Sequence, residues 1–149
     1  MPRSFTSILL HVVFSTYERQ PLITKELSPD LHAYIGGITR GLHATAIRVG
    51  GAADHVHILA GIPPTLAVAE YVNKVKSNSS KWIHETRMRP LFGWQRGYGA
   101  FSVSRSGAEA VARYIAGQDE HHHLVSFREE FLRLLQEAGI DYDERYVFD

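Results

Sequence analysis

Residues 44–60 read ATAIRVGGAADHVHILA, and the arrangement of the whole sheet follows from this stretch. Two runs with strand character, 44–49 and 55–59, follow one another with only a short connection between them. We predict a turn at Gly50-Gly51, because glycine is a usual residue of tight turns. The chain therefore carries two consecutive strands near its middle.

The elements on either side of this strand pair complete a simple order. Alternating apolar residues in 6–14 predict a first strand, and Ser28-Pro29 predicts the start of a helix that ends at Gly41. After the pair, Thr65 is predicted to cap a long second helix. A fourth strand is predicted over 100–104.

The order β-α-β-β-α-β predicts an α+β fold, a ferredoxin-like antiparallel sheet of four strands with helices packed on one face. Two added C-terminal helices follow, each opened by a capping box: Ser106 with Glu109, and Ser126 with Glu129. The second face of the sheet needs a cover, which is nucleic acid, a second subunit or the added helices. We predict that residues 1–149 form a single domain.

Composition limits the classes of function. The chain has 149 residues, an ordinary 44% of hydrophobic residues and no cysteine, which excludes disulfide frameworks and thiolate sites. The apolar run 8–14 is too short to span a membrane and lacks the flanks of a signal peptide. We therefore expect a soluble cytoplasmic protein.

Charge is unevenly spread along a chain whose net charge is zero. Residues 71–108 carry seven basic side chains against one acid, whereas residues 119–149 carry nine acids against three arginines. A basic middle can follow a phosphate backbone, although two solvated helix faces of opposite sign would give the same pattern. Trp94, Tyr98 and Phe101 suit either stacking on unpaired bases or packing in the core. The predicted DNA contacts here are Lys74, Lys76, Lys81, Arg96 and Arg105.

The segment Asp54-His-Val-His57 is the sharpest local signal for chemistry. Residues two apart in a strand point to the same face, so His55 and His57 project together while Val56 projects to the other side. Two imidazoles on one face can bind a divalent metal. The alternative is that both are solvated polar residues on an open sheet face.

Tyr114 and Gln118 form a second candidate pair, because they are four apart on a predicted helix and share one face. A tyrosine hydroxyl can act as a covalent nucleophile, and a glutamine carbonyl oxygen is a ligand type that Mg²⁺ and Mn²⁺ accept. A core tyrosine beside an exposed glutamine is the competing interpretation. His121 and His122 follow, and we interpret them as supporting the site or facing DNA rather than as primary ligands.

Together these segments resemble the single-tyrosine HUH transposases of small bacterial insertion sequences and their domesticated relatives. HUH denotes histidine, hydrophobic residue, histidine, here residues 55–57. The resemblance covers nearly the whole chain and rests on the joint order and spacing of several segments. These are Val13–Thr16, Asp54–Leu59, the helix with Lys76 and Ser79-Ser80, Gly97–Ser104, Tyr114–Gln118 with His121-His122, Phe127–Glu130 and Asp143–Tyr146.

The resemblance implies a mechanism as well as a fold. His55, His57 and Gln118 would bind Mg²⁺ or Mn²⁺, and Tyr114 would attack a phosphate of single-stranded DNA near a hairpin. A 5′-phosphotyrosine would form with release of a 3′-OH, and a second 3′-OH would reverse the step. Such enzymes commonly act as homodimers in which the tyrosine helix of one subunit completes the metal site of the other.

One segment departs from the family pattern. A basic motif with lysine often follows the first strand, whereas Thr16-Tyr-Glu-Arg19 retains only Arg19, which joins the predicted DNA contacts. Two other functions stay open: a metal-dependent nuclease that uses water in place of Tyr114, and a non-catalytic module that binds single-stranded nucleic acid.

Overall fold

A computed structural model describes residues 4–118 and 124–148. Its elements are β1 (Leu9–Ser15), α1 (Leu27–Gly41), β2 (Thr45–Ala52), β3 (His55–Gly61), α2 (Val68–Thr86), β4 (Gly99–Val103), α3 (Ala108–Ala116) and α4 (Phe127–Glu137). Short 3-10 turns cover Tyr17–Arg19 and Arg105–Gly107. Among the described residues, no helix has both the length and the apolar character needed to cross a membrane.

The four strands form one sheet in the order β2-β3-β1-β4, and all three neighbouring pairs are antiparallel. This is the ferredoxin-like arrangement, so the predicted α+β fold with two added C-terminal helices is confirmed. In the β1–β3 register, Val13 lies opposite His57 and Ser15 lies opposite His55. The HUH histidines therefore stand beside the C-terminal end of β1.

The two faces of the sheet have different covers. Val12, Phe14 and other alternate residues join the main apolar core, to which α1 and α2 contribute their buried faces. On the opposite face, Val13 packs with Phe127, Phe131 and other apolar residues of α4. The added helices therefore supply the cover for the second face, and that cover lies over the histidines.

The prediction of a turn at Gly50-Gly51 is wrong, because both glycines lie inside β2 and the turn falls at 53–54. A Cβ atom at Gly50 would lie 2.7 Å from the carbonyl oxygen of Ile115, in α3. Gly51 has φ of 156°, and a Cβ there would lie 2.2 Å from the carbonyl oxygen of His55. Both glycines are explained by the close approach of a neighbouring backbone carbonyl, which leaves no room for a side chain.

Three of the predicted helix caps are also wrong. Ser28, predicted as the cap of α1 with Pro29 as its first residue, lies inside that helix. Thr65 does not cap α2, since Leu66 N–H closes a turn onto the Pro63 carbonyl and the helix begins only at Val68. Before α3, the hydroxyl that accepts the Gly107 N–H belongs to Ser104 rather than Ser106, because a 3-10 turn separates the cap from the helix.

Other predicted helix boundaries agree closely with the structure. Ser126 caps α4 as predicted, with its hydroxyl accepting the Glu129 N–H at 3.2 Å. The first helix ends at Gly41 as predicted and begins at Leu27, one residue before Ser28, because the Thr24 hydroxyl accepts the Leu27 N–H.

Candidate active site

The predicted chemical residues meet between the sheet and the two added helices. His55 and His57 have no exposed surface, and Gln118 is 1% exposed. The Oε1 atom of Gln118 lies 2.9 Å from Nε2 of His55. The structure therefore brings both HUH histidines and Gln118 into one cluster. Gln118 follows the end of α3, and its side-chain amide lies 3.4 Å from the Tyr114 carbonyl oxygen.

Glu130, for which no role in the site was predicted, joins this cluster. Its carboxylate is fully buried in α4, with Oε1 lying 3.0 Å from Nε2 of His57 and 3.5 Å from Nε2 of His55. Its other oxygen, Oε2, accepts hydrogen bonds from the Tyr114 hydroxyl and, at 3.2 Å, from the Gln118 amide. One carboxylate thus links the histidines to the tyrosine.

A sequence signal for Glu130 does exist. It lies three residues after Phe127 and directly before Phe131, so it stands on the buried face of α4. An ionisable side chain there must have partners, because burying an unpaired charge costs far more than the helix gains from packing. A carboxylate on an apolar helix face is therefore itself evidence of a site.

The side chains fit a divalent cation. His55, His57 and Glu130 each offer one ligand atom, and these atoms all lie within 4.8 Å of one another. The carbonyl oxygen of Gln118 lies beside them. Imidazole nitrogens suit transition metals and carboxylate or amide oxygens suit Mg²⁺ and Mn²⁺, so this mixed set is a chemically reasonable cation site.

The far nitrogens of both imidazoles also have partners. His55 Nδ1 lies 2.7 Å from Oδ1 of Asp54, and His57 Nδ1 lies 2.7 Å from Nε2 of His11. Burial, and next the neighbouring His57, lower the pKa of His11 to about 3, against an opposing effect of Glu130, so His11 is neutral. Partners at Nδ1 fix the ring orientation and direct both Nε2 atoms into the cluster.

Tyr114 is a half-buried phenol that needs help to ionise. Burial raises its pKa, and the hydrogen bond and charge of Glu130 raise it further, outweighing the opposing effects of Gln118 and Arg133. The neutral phenol is a weak nucleophile, and its proton points to a carboxylate. Beside the ring, a cavity of 220 Å³ lined in part by Arg133 and Glu137 gives access to the tyrosine.

The position of Tyr114 is fixed within its own chain. Its neighbour Ile115 is buried, and the Ile115 carbonyl sits over Gly50 of β2 where no side chain intervenes. The Tyr114 ring packs edge-on against His57, with centroids 5.6 Å apart. Within one chain, the Tyr114 ring therefore lies beside the histidines.

The predicted DNA contacts occupy different surroundings. Lys74, Lys81 and Arg96 are exposed, whereas Arg105 borders a cavity with Gly61 at the far end of the sheet. Lys76 is half-buried and donates to the backbone carbonyls of Gln95, Arg96 and Gly97 at 2.9, 3.2 and 2.5 Å. The guanidinium of Arg19 lies 4.4 Å from the ring centroid of Phe148. Contact with DNA stays a prediction for each of these residues.

The three aromatic residues suggested for base stacking also separate. Trp94 packs edge-on against Phe14 in the core and donates to the Ser79 hydroxyl. Phe101 is half-buried, and its ring centroid lies 6.1 Å from that of His11. Tyr98 is exposed. His121 and His122 lie outside the described residues.

Comparison with known proteins places the chain in a family. A family model described as "Transposase IS200 like" matches residues 4–118. The chain belongs to this family of IS200-like transposases. It is 28% identical over 116 residues to the transposases of insertion sequence element IS200 from Salmonella typhimurium and from Salmonella typhi, an overlap of 74% of this chain and 76% of each relative.

Solved structures show the same fold in related proteins. A transposase from Deinococcus radiodurans R1 superposes with a TM-score of 0.63 at 18% identity, covering 79% of this chain and 95% of the other. A REP-associated tyrosine transposase bound to a REP hairpin superposes with a TM-score of 0.60 at 13% identity, covering 96% and 91%. The family match ends at residue 118, and Glu130 follows it in α4.

Proposed function

We propose that this IS200-like transposase cleaves and rejoins single-stranded DNA through a covalent bond between Tyr114 and a 5′-phosphate. The observation that carries the proposal is the Glu130 carboxylate, which contacts the Tyr114 hydroxyl with one oxygen and His57 with the other. A nucleophile joined to a cluster of metal-binding side chains is the arrangement that metal-assisted phosphoryl transfer requires.

In this proposal, His55, His57, Glu130 and Gln118 hold a divalent cation, Mg²⁺ or Mn²⁺. The cation would act as a Lewis acid toward the scissile phosphate. Asp54 and His11 orient the two imidazoles through their Nδ1 atoms.

Neither of the two transfer steps consumes water. The Tyr114 oxygen forms a bond to phosphorus and its proton passes to Oε2 of Glu130. The bond from phosphorus to the 3′ oxygen breaks, and that oxygen leaves as an alkoxide that takes up a proton from solvent to become a 3′-OH. In the second step, a 3′-OH from another strand end loses its proton to solvent and forms a bond to phosphorus. The bond from phosphorus to the tyrosine oxygen breaks, and Tyr114 takes its proton back from Glu130. The energy of the phosphodiester is kept in the covalent bond throughout.

We propose single-stranded DNA with a hairpin as the substrate. The family membership supports DNA, and the structural relative bound to a REP hairpin supports the hairpin. The family resemblance implies a homodimer with shared sites, whereas the contact between Tyr114 and Glu130 lies within one chain. We therefore propose that Tyr114 acts within its own chain, in a protein that works in the cytoplasm.

The proposal is tested with purified protein, a labelled hairpin oligonucleotide from the flanks of its own gene, and Mn²⁺ or Mg²⁺. We expect cleavage that stops in excess EDTA and in His57→Ala, because that variant loses one ligand. Full activity under either condition would contradict a metal role. Cleavage without covalent attachment would instead favour the nuclease that uses water, and binding without cleavage would favour a non-catalytic DNA-binding protein.

A further inference from the structure

A second cavity, of 300 Å³, lies at the C-terminal end of β1 and has no part in the chemistry described above. It is lined by Tyr17, Glu18, Gln95, Arg96 and Phe148. These lining residues carry two aromatic rings, an amide, a carboxylate and a guanidinium. Its volume is at the lower end of the range of small-molecule sites.

This second cavity adjoins the histidine cluster through the sheet. Gln95 exchanges two hydrogen bonds with Ser15, its backbone N–H donating to the Ser15 carbonyl at 2.9 Å and its Oε1 accepting the Ser15 N–H at 2.6 Å. Ser15 lies opposite His55 in the β1–β3 register. The second cavity is therefore separated from a candidate metal ligand by a single strand.

A row of aromatic rings that includes Phe127 of α4 also links the second cavity to His55. Phe127 stacks on His55 with centroids 4.5 Å apart, and Phe148 lies 6.4 Å from Phe127. The guanidiniums of Arg19 and Arg128 lie 4.4 and 5.3 Å from the Phe148 ring centroid and hold this wall in place. The Phe148 side of the cavity is therefore linked to His55 through one intervening ring.

The turn that presents Tyr17 and Glu18 is held in an uncommon conformation. Glu18 and Arg19 have φ values of 52° and 56°, in the left-handed region that non-glycine residues seldom adopt. Hydrogen bonds fix the turn, including Tyr17 N–H to the Gly93 carbonyl and the Thr16 hydroxyl to the Gln20 carbonyl. Such over-determined backbone is a feature of binding sites.

The polar groups of the cavity form a donor and acceptor pair. The Gln95 Oε1 atom is engaged by Ser15, so its Nε2 amide is the group that it can offer to a ligand, as a donor. The Glu18 carboxylate is an acceptor. Cytosine and adenine each place an amine donor beside a ring-nitrogen acceptor, whereas uracil and thymine place a carbonyl acceptor beside a ring N–H.

The remaining walls suit a nucleotide of a single strand. Tyr17 is 56% exposed, which leaves its ring available for stacking, and aromatic side chains are the usual platforms for unpaired bases. Arg96 is exposed at the cavity and can contact the adjoining phosphate, while Glu18 repels phosphate from the interior.

We propose that this second cavity binds one unpaired, amine-bearing base, cytosine or adenine, of the DNA strand that enters the active site. The inference rests on the proposed function, since it assumes that single-stranded DNA is the substrate. It gives the enzyme a base-specific contact next to the scissile phosphate, made by residues outside the metal cluster.

The test compares oligodeoxycytidine with oligodeoxyuridine, each of about twelve nucleotides, a length within usual single-strand site sizes. These bases have the same ring size and differ in the groups that Glu18 and Gln95 would contact. Binding is measured by fluorescence anisotropy in the Tyr114→Phe background, so that the readout does not depend on cleavage. The variants are Tyr17→Ala and Glu18→Gln, with Tyr146→Ala, an equally exposed tyrosine at 61%, as matched control.

We expect the parent protein to prefer oligodeoxycytidine about tenfold, as one good base contact allows. Glu18→Gln should abolish the preference, Tyr17→Ala should weaken binding of both oligonucleotides about tenfold, and Tyr146→Ala should change neither. Equal binding of the two oligonucleotides by the parent, no binding of either, or a preference that survives Glu18→Gln would overturn the inference. Covalent attachment by the wild type, assayed separately, reports on the proposed function alone.

Discussion

The hydroxyl of Tyr114 donates a hydrogen bond to the buried carboxylate of Glu130, and the other oxygen of that carboxylate lies 3.0 Å from Nε2 of His57. The two residues come from α3 and α4, the helices added to the ferredoxin-like core. Their contact connects the nucleophile to the candidate metal ligands through one side chain. The added helices therefore build the site as well as cover the sheet.

Replacing Glu130 by Gln should weaken metal binding. The amide keeps the volume of the side chain but removes its charge, so we expect a fall in Mn²⁺ affinity of about 10- to 100-fold, comparable to other losses of groups that support a metal. Titration calorimetry on the folded variant measures the change. Glu129→Gln, an exposed neighbour on the same turn, is the control. Wild-type Mn²⁺ affinity in Glu130→Gln would contradict a ligand role.

Adding a methyl group at Gly50 should displace the tyrosine helix. A Cβ there would lie 2.7 and 2.8 Å from the carbonyl oxygen and Cγ2 of Ile115, so we expect Gly50→Ala to lose about 1–3 kcal/mol of stability together with cleavage activity. Urea unfolding and the cleavage assay measure the two effects. Gly41→Ala is the control, because its Cβ would meet nothing within 4 Å. Equal stability and equal cleavage activity of the two variants would show that α3 is not anchored at Gly50.

Lys76 should make stability depend on pH. Burial lowers its pKa from 10.5 to about 8. Between these values the unfolded chain binds more protons at this position than the folded protein, so the free energy of unfolding contributed by Lys76 rises with pH across that window. In urea unfolding, the free energy of unfolding of the wild type should rise relative to that of Lys76→Met as the pH increases from 8 toward 10.5. The exposed Lys74→Met variant controls for loss of one charge, and a constant difference for Lys76→Met would contradict its burial.

Mixing two inactive variants tests whether the site is completed within one chain. Tyr114→Phe lacks the nucleophile and His57→Ala lacks a ligand. If Tyr114 acts beside its own histidines, as the contact with Glu130 indicates, the mixture should stay inactive. Cross-linking shows whether subunits have exchanged, and covalent attachment measures activity. Recovered attachment in exchanged dimers would instead support the shared site implied by the family resemblance.

The predictions that succeeded depend on short-range periodicity. The pairing of His55 with His57 follows from the two-residue repeat of a strand, and that of Tyr114 with Gln118 follows from the turn of a helix. The ferredoxin-like arrangement follows from the order of the elements, because few topologies suit β-α-β-β-α-β. Local patterns therefore predicted the fold and brought together His55, His57, Tyr114 and Gln118, but not Glu130.

The predictions that failed, and the residues that were missed, depend on contacts between distant segments. Gly50 resembled a turn residue, but its role comes from Ile115, which follows it by more than sixty residues. His11 lies in an apolar strand and gains a role only through His57, and Glu130 lies on a helix that has to fold back over the sheet. Local periodicity carries no information about such partners.

The central claim is that Tyr114 becomes covalently attached to DNA. Hairpin oligonucleotides labelled on the 5′ or the 3′ side of the cleavage point are incubated with protein and Mn²⁺, and the products are separated on a denaturing gel. We expect a metal-dependent adduct that carries only the 3′-side label, because the 5′-phosphate of that fragment is joined to tyrosine. Tyr114→Phe should form no adduct while it keeps its fold and binds DNA. An adduct of undiminished yield in Tyr114→Phe, or metal-dependent cleavage by the wild type with no adduct, would contradict the account.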